Sequence, residues 1–522
     1  MESLSDSKKS YSRDFLFVYD YELTQFTQVT NLHGMARWRN AKSILAKLFW
    51  AVLVIAVVTF SVIQVTNLVA LYLSHPIMSQ VQFVIPDDGL KFPTVTVCNY
   101  NPVKVKSVKK YNMSNDVLEY VLVTFMPPGD LYASYTPQEM ESLHQKYEIY
   151  VDDYKNATGT DFSLTTFYWD AGYSCQDMFL SCTFGGMPFN CCQFAEPIMT
   201  DMGKCYQFTD FSHNNRRQLL AGSYYGLQAF INAQVDEYPL TTINNRFGYG
   251  IRFSLKQDST TQFLTTDAYS VSPGRMFYAG LLPTHYVLLP ENQWGKCRKN
   301  WPDDDYRSDQ KDQMYSAASC RAGCEANAFL ETCGCVPFRY FPTRGQQTCD
   351  SLQLYNCIRQ SFLLTDEEYW RNRCSNCTPE CDRWSYQTEA SYVNIPSPGA
   401  IKTLEKRFNM TEDTLTSNVL ALSTYFTEIS FTEYEQSQAT TMTQTFSNIG
   451  GTLGLFIGFS VVTLFELIIF IVKVIWGFIS IKRRQTLTIR KNSILATSGK
   501  ESELLQNAYT ISGNMNEDVL KW

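Results

Sequence analysis

The chain has 522 residues, a formal net charge of −7 and 45% hydrophobic residues. That is the composition of a folded protein, and its acidic balance gives no footing for a nucleic-acid partner. No nucleotide-binding glycine loop, metalloprotease motif or nucleophile elbow occurs, so the residues support neither an enzyme nor a cofactor or catalytic metal.

In chain order, residues 1–47 read as a short cytoplasmic head. Residues 48–73 carry no charged side chain from Leu48 to Leu73, longer than the roughly 20 residues that cross a bilayer, and predict a first transmembrane helix. Arg37, Arg39, Lys42 and Lys47 precede it, whereas no Lys or Arg occurs between Ser74 and Leu90. Lys482, Arg483 and Arg484 follow a second apolar run, and none occurs from Phe408 to Asn448 before it. Positive charge concentrates on the cytoplasmic side of membrane helices, so both termini are expected inside and residues 74–448 outside.

That outer region should divide into subdomains. KFPTVTVCNY from Lys91 and YGIRFSLKQ from Tyr249 are rich in β-branched residues and read as strands, while SAASCRAGCEANAFLETC reads as helix. All 16 cysteines lie between Cys98 and Cys381. An even count confined to an oxidising side reads as a disulfide framework, and no histidine accompanies the Cys297–Cys381 cluster to favour zinc. Asn112, Asn156, Asn376 and Asn409 open glycosylation sequons, though a disulfide at the adjoining Cys377 would stand against use of Asn376.

Residues 449–481 form the second apolar run, with Glu466 and Lys473 as its ionisable groups. Gly450, Gly454 and Gly458 recur every four residues, which places small faces along one side of a helix. A carboxylate at bilayer depth usually faces water or a polar partner, so the segment reads as a pore-lining helix, or else as an anchor with a chance acid. Unbroken, it would measure roughly 50 Å against a hydrocarbon core of about 30 Å, and the glycine–serine region is the expected break. Residues 482–522 are polar and read as a disordered cytoplasmic tail.

Several motifs occur in a fixed order: His33-Gly34; Phe92-Pro-Thr-Val-Thr-Val-Cys98-Asn99; Trp294-Gly-Lys-Cys297; Ile395-Pro-Ser397; and Asn448-Ile-Gly-Gly451 followed by Gly454-Leu-Phe-Ile-Gly458. In this the chain resembles the degenerin and epithelial sodium channel superfamily, closest to its acid-sensing and peptide-gated members, from about Leu23 to Lys473. The resemblance implies an α+β membrane protein with two transmembrane helices. A large disulfide-rich extracellular domain has a β-rich palm and a helical thumb, assembled as a homo- or heterotrimer around one pore. It implies an amiloride-sensitive type of sodium or cation channel at the plasma membrane, gated from outside by a proton, peptide or small ligand. Mechanical or constitutive gating remains an alternative, as does a two-span scavenger or adhesion receptor. Na+ would be the permeant ion, with extracellular divalent cations as possible modulators.

The resemblance also implies residue roles. Gly458-Phe459-Ser460 would form the constriction, with Glu466 as a deeper ring, and Phe459 departs from the small middle residue usual there. His33, Gly34, Tyr72, Trp294 and Ser447 would serve gating, with packing as the alternative for Tyr72 and Trp294. Asp236 and Glu237 match an acidic proton-sensing pair, but Arg359 and Leu363 stand where partner acids are expected, and an arginine would hold the pair ionised. The implied disulfides are Cys98–Cys205, Cys297–Cys381, Cys320–Cys377, Cys324–Cys374, Cys333–Cys357 and Cys335–Cys349. Cys182 would pair with Cys191 or Cys192, leaving Cys175 for the other. Independently of the resemblance, Asp87, Asp88, Glu428, Glu433 and Glu435 near the outer ends of the spans would either attract cations or form a solvated surface.

Overall fold

A computed structural model describes residues 17–209, 217–241, 248–257, 264, 268–301, 315–340, 346–361 and 366–497. Leu363 and residues 498–522 of the expected tail lie outside the described residues. The chain divides into two compact units, one of Met1–Pro76 with Ala439–Trp522 and the other of Ile77–Gln438.

The larger unit is built on two large sheets, beside a two-stranded pairing of Leu90–Lys91 with Arg217–Gln218. The strands of the large sheets are β1 (Ile77–Val84), β2 (Thr94–Asn99), β3 (Phe179–Phe184), β4 (Met187–Phe189), β5 (Ala195–Thr200), β6 (Gly203–Phe208) and β7 (Leu227–Asn232), followed by β8 (Ile251–Lys256), β9 (Tyr269–Val271), β10 (Arg275–Val287), β11 (Asp382–Asn394), β12 (Val419–Phe426) and β13 (Phe431–Gln438). One sheet runs β1-β13-β10-β12-β7-β3-β4 with β11 on the other edge of β10, and the second runs β9-β8-β2-β6-β5. The TVTVCN and IRFSLK segments, read as strands from their β-branched residues, are antiparallel neighbours, Ile251 opposite Asn99 and Lys256 opposite Thr94.

The strand β10 organises the larger sheet. It pairs antiparallel with β11 along its whole length, from Arg275–Asn394 to Val287–Asp382. Its other edge takes β12 beside Met276–Leu281 and then β13 beside Thr284–Val287, both parallel. The two sheets share one core. Val95, Val97, Phe253 and Phe208 meet Ile231, Leu422, Phe277 and Phe426 there, with the Phe253 and Phe277 rings 5.4 Å apart.

The helical part of this unit has a core of its own around Tyr120, Met140, Phe329, Leu354 and Ile358. The cysteine-rich segment forms a helix, Ala317–Cys333, capped by Ser316, whose side chain accepts from the Ser319 amide. Cys297–Cys381, Cys320–Cys377, Cys324–Cys374, Cys333–Cys357 and Cys335–Cys349 staple this region, and Cys98–Cys205 joins β2 to β6. Of the two arrangements left open by the sequence, the structure has Cys182–Cys191 and Cys175–Cys192. No cysteine is free.

The smaller unit is helical. Residues 17–29 form a helix, Met35–Asn40 a short one, and Ile44–Leu73 the first long apolar helix. The second apolar run starts as Met442–Ile457 and resumes as Val461–Thr497, so helix extends past the expected boundary at 481. Both Ile44–Leu73 and Val461–Ser480 are long and apolar enough to cross a membrane.

Candidate functional site

The second apolar run breaks at residues 458–460 for local reasons. Thr441 caps the leading helix by accepting from the Gln444 amide at 3.1 Å. At the other end Gly458 takes φ 73°, a left-handed conformation that costs any residue with a Cβ about 1–2 kcal/mol. Its amide turns back to the Gly454 carbonyl at 3.1 Å, and the Phe459 amide donates to the Leu453 carbonyl at 3.2 Å. Ser460 then caps the trailing helix: its Oγ accepts from the Thr463 amide at 3.2 Å and its carbonyl from the Leu464 amide at 3.0 Å. The Ser460 and Thr463 hydroxyls also lie 3.1 Å apart, and Thr463 is fully buried. Gly458 thus ends one helix and Ser460 starts the next, leaving Phe459 half-buried and Ser460 exposed between them.

A segment far away in sequence lies against this break. The His33 amide donates to the Ile457 carbonyl at 2.8 Å. A Cβ built on Gly458 would stand 2.6 Å from the Asn31 carbonyl oxygen and 2.7 Å from the His33 ring, so glycine is required by contact as well as by φ. Gly34 is under the same double constraint, with φ 82° and Val54 Cγ2 2.7 Å from its would-be Cβ. The preceding helix packs on the trailing half, with the Phe26 and Phe470 rings 4.9 Å apart and Val18 against Gly477. Arg39 binds Asp20 and Thr24, tying that helix to the next. The sequence reading placed His33 and Gly34 in gating; it did not assign residues 17–31 to the same site. The one available signal was the threonine-rich lead-in TQFTQVTN, whose Thr27 is fully buried.

The glycine stripe behaves unevenly. Gly458 is hemmed in, whereas a Cβ on Gly450 or Gly451 would meet nothing within 4 Å, so within one chain no backbone closes on that face. Two turns beyond Ser460, Glu466 is half-buried, and its Oε2 is buried without a hydrogen-bond partner among the described residues. Ser447 is exposed on the leading helix. Tyr72 lies in the last turn of the first apolar helix. Trp294 sits in the other unit at φ 74°, locked in a turn where a Cβ on Gly295 would overlap the Leu289 carbonyl.

The outer acids are largely engaged. Asp236 accepts from Asn418 Nδ2 at 2.8 Å. Glu237 meets Lys106 Nζ at 2.6 Å and accepts from the Lys106 amide at 3.1 Å. Burial pushes the Glu237 carboxyl up, but hydrogen bonds from Lys106 and the charges of Lys106 and Lys104 outweigh it and hold the group below its ordinary value. The cation at this pair is Lys106 rather than Arg359, which is exposed and lies over the Tyr355 ring at 5.8 Å. Asp88 binds Arg217 at 2.9 Å and Glu433 binds His285, so two of Asp87, Asp88, Glu428, Glu433 and Glu435 are already in ion pairs. Asn112, Asn156, Asn376 and Asn409 are all exposed.

A family model described as "Amiloride-sensitive sodium channel" matches residues 26–470, which takes in the break, Glu466 and the His33-Gly34 segment. The chain belongs to the amiloride-sensitive sodium channel family. Among similar proteins of this family are acid-sensing ion channel 1A of Danio rerio, 28% identical over 85% of this chain and 86% of its own, and acid-sensing ion channel 2 of Homo sapiens, 28% identical over 86% of each. Acid-sensing ion channel 1 of Gallus gallus is 27% identical over 85% of this chain and 82% of its own. As in this channel family generally, the chain is a membrane protein and not an enzyme. Its fold is two apolar helices flanking a β-rich extracellular domain with eight disulfides.

Proposed function

We propose that the chain is the pore-forming subunit of a trimeric, sodium-preferring cation channel of the plasma membrane, with both termini cytoplasmic and gating driven from outside. The observation that carries this reading is the capped break at 458–460 followed by Glu466, whose Oε2 is buried without a hydrogen-bond partner among the described residues. An open turn presents backbone carbonyls that replace part of an ion's hydration shell, and three copies of Glu466 would favour cations below it. Glycine faces left open at 450 and 451 suit close packing between subunits. So does β1, an edge strand exposing Ile77, Met78, Val81 and Phe83.

The acid-sensing names of its relatives make the proton one candidate stimulus, and a peptide or small ligand another. The Asp236–Glu237 pair is not the favoured sensor, because Lys106 holds Glu237 ionised. Amiloride block is expected from the family.

Ser447 is small and exposed on the leading helix, and the resemblance to the family places it where bulk would prop the pore open. Oocytes expressing Ser447→Phe should therefore carry a standing inward current that disappears when bath Na+ is replaced by a large organic cation. A surface-expressed mutant with no current, alone or beside a related subunit, would contradict the channel reading and favour a two-span receptor. The reversal potential of that current under Na+–K+ exchange also reads how Phe459 affects ion preference.

A further inference from the structure

A second titratable cluster lies in the larger sheet. His285 Nδ1 is 2.8 Å from Glu433 Oε1, and its Nε2 is 2.9 Å from Asp382 Oδ1. The imidazole stands between two carboxylates on two different strands, with 15% of its side chain exposed. Its flat face stacks on Trp384, with ring centroids 4.5 Å apart and planes 13° from parallel, and Phe431 closes the edge. The pairing is set by register: His285 on β10 lies opposite Trp384 on β11 and opposite Glu433 on β13.

A neutral imidazole has one N–H, so it can donate to only one of these carboxylates and turns a lone pair towards the other. The imidazolium donates to both. Histidine is also the side chain whose ordinary charge change falls between about pH 5 and 8. The charged groups on the surrounding strands are Asp382, Arg383 and Glu389 on β11, Glu433 and Glu435 on β13, and Lys256 at the end of β8. Arg383 lies over the Tyr286 ring, next along β10 from His285. The strand β1 carries no charge. The two carboxylates occupy opposite ring nitrogens, and no group of three metal-ligating side chains occurs among the described residues, so the site suits a proton and not a metal ion.

β13 pairs with β1 along its whole length, Ile77 opposite Gln438 and Val84 opposite Phe431. In the chain, β1 follows the first apolar helix after Ser74–Pro76, and β13 leads into the second after Ala439–Thr441. The pair is therefore continuous with both spans.

We propose that His285 is an extracellular proton-binding site whose occupancy pins β13 to β10 and β11, and so sets the strand pair that continues into both spans. The proposal deepens the channel reading and rests on it for its consequence. Its test does not, because it can be run on purified full-length protein in detergent. An imidazolium stacked on an indole quenches its emission. Between pH 8 and 5.5 the wild type should lose a component of tryptophan fluorescence that is missing from both His285→Gln and Trp384→Phe. Over the same window, amide exchange in residues 431–438, corrected for the intrinsic effect of pH, should slow about tenfold, as expected for one added charge-assisted hydrogen bond. Glu433→Gln should keep the fluorescence titration and lose that slowing. A fluorescence component that survives His285→Gln, no such component in the wild type, or exchange at 431–438 that ignores protonation would each overturn the proposal. Absence of current in cells would instead count against the channel reading alone.

Discussion

The two apolar helices solve the same solvent problem differently. Ile44–Leu73 is unbroken over 30 residues, and its threonines satisfy themselves locally, Thr59 on the Ile55 carbonyl at 2.8 Å and Thr66 on the Val62 carbonyl at 2.9 Å. The second is cut by a left-handed glycine and restarted by a serine cap. Each has a buried polar atom without a partner among the described residues, Ser61 Oγ in the first and Glu466 Oε2 in the second. Their weights differ greatly. An unpaired buried hydroxyl costs about 1–3 kcal/mol, which packing can absorb, whereas an isolated ionised carboxylate costs far more. The first helix can be an anchor as it stands; a charged Glu466 in the second calls for water or an ion beside it.

The broken second helix depends most on Gly458. Gly458→Ala meets both a left-handed backbone and the Asn31 carbonyl at 2.6 Å, so it should abolish the Ser447→Phe standing current while surface expression persists. Current at wild-type level would mean that the turn is not part of the conduction path. Next comes the contrast of the two buried polar groups. Glu466→Ala should lower unitary conductance roughly twofold or more, because a ring of charge at the pore is lost. Ser61→Ala should leave conductance unchanged; equal effects of the two substitutions would erase the distinction between the helices.

The smallest effect is expected outside the membrane. Glu237 has a folded value below its unfolded one, so its ion pair is fully present above the ordinary carboxylate range and lost only as pH falls through the lower, folded value. Glu237→Gln should therefore leave any acid response between pH 7 and about pH 5 where it was. A displaced midpoint in whole-cell pH–current curves would return the sensor to this pair.

What was legible in the sequence was mostly local. The absence of charge from Leu48 to Leu73, the TVTVCN and IRFSLK strands and the cysteine-bearing helix follow from composition and periodicity over a few residues. The excess length of residues 449–481 pointed to a break, and the glycine–serine region placed it. Its chemistry was less visible, since the Ser460–Thr463 cap and the left-handed Gly458 are features of backbone direction. Long-range pairings were invisible for a different reason. His285, Asp382 and Glu433 come together only through the register of β10 with two strands, and Lys106 reaches Glu237 across more than a hundred residues. The packing of residues 17–34 against the break was hidden in the same way, because nothing in that segment's own pattern names its partner.

We propose residues 458–460 as the constriction of a cation pore. Ser460 is exposed at the turn, and cysteine is close to serine in size. With Ser460→Cys added to Ser447→Phe, micromolar external cadmium should block the standing current and spare Ser447→Phe alone, since thiolates at a constriction bind this soft cation. Equal insensitivity of both, with the cysteine variant conducting normally, would contradict the claim.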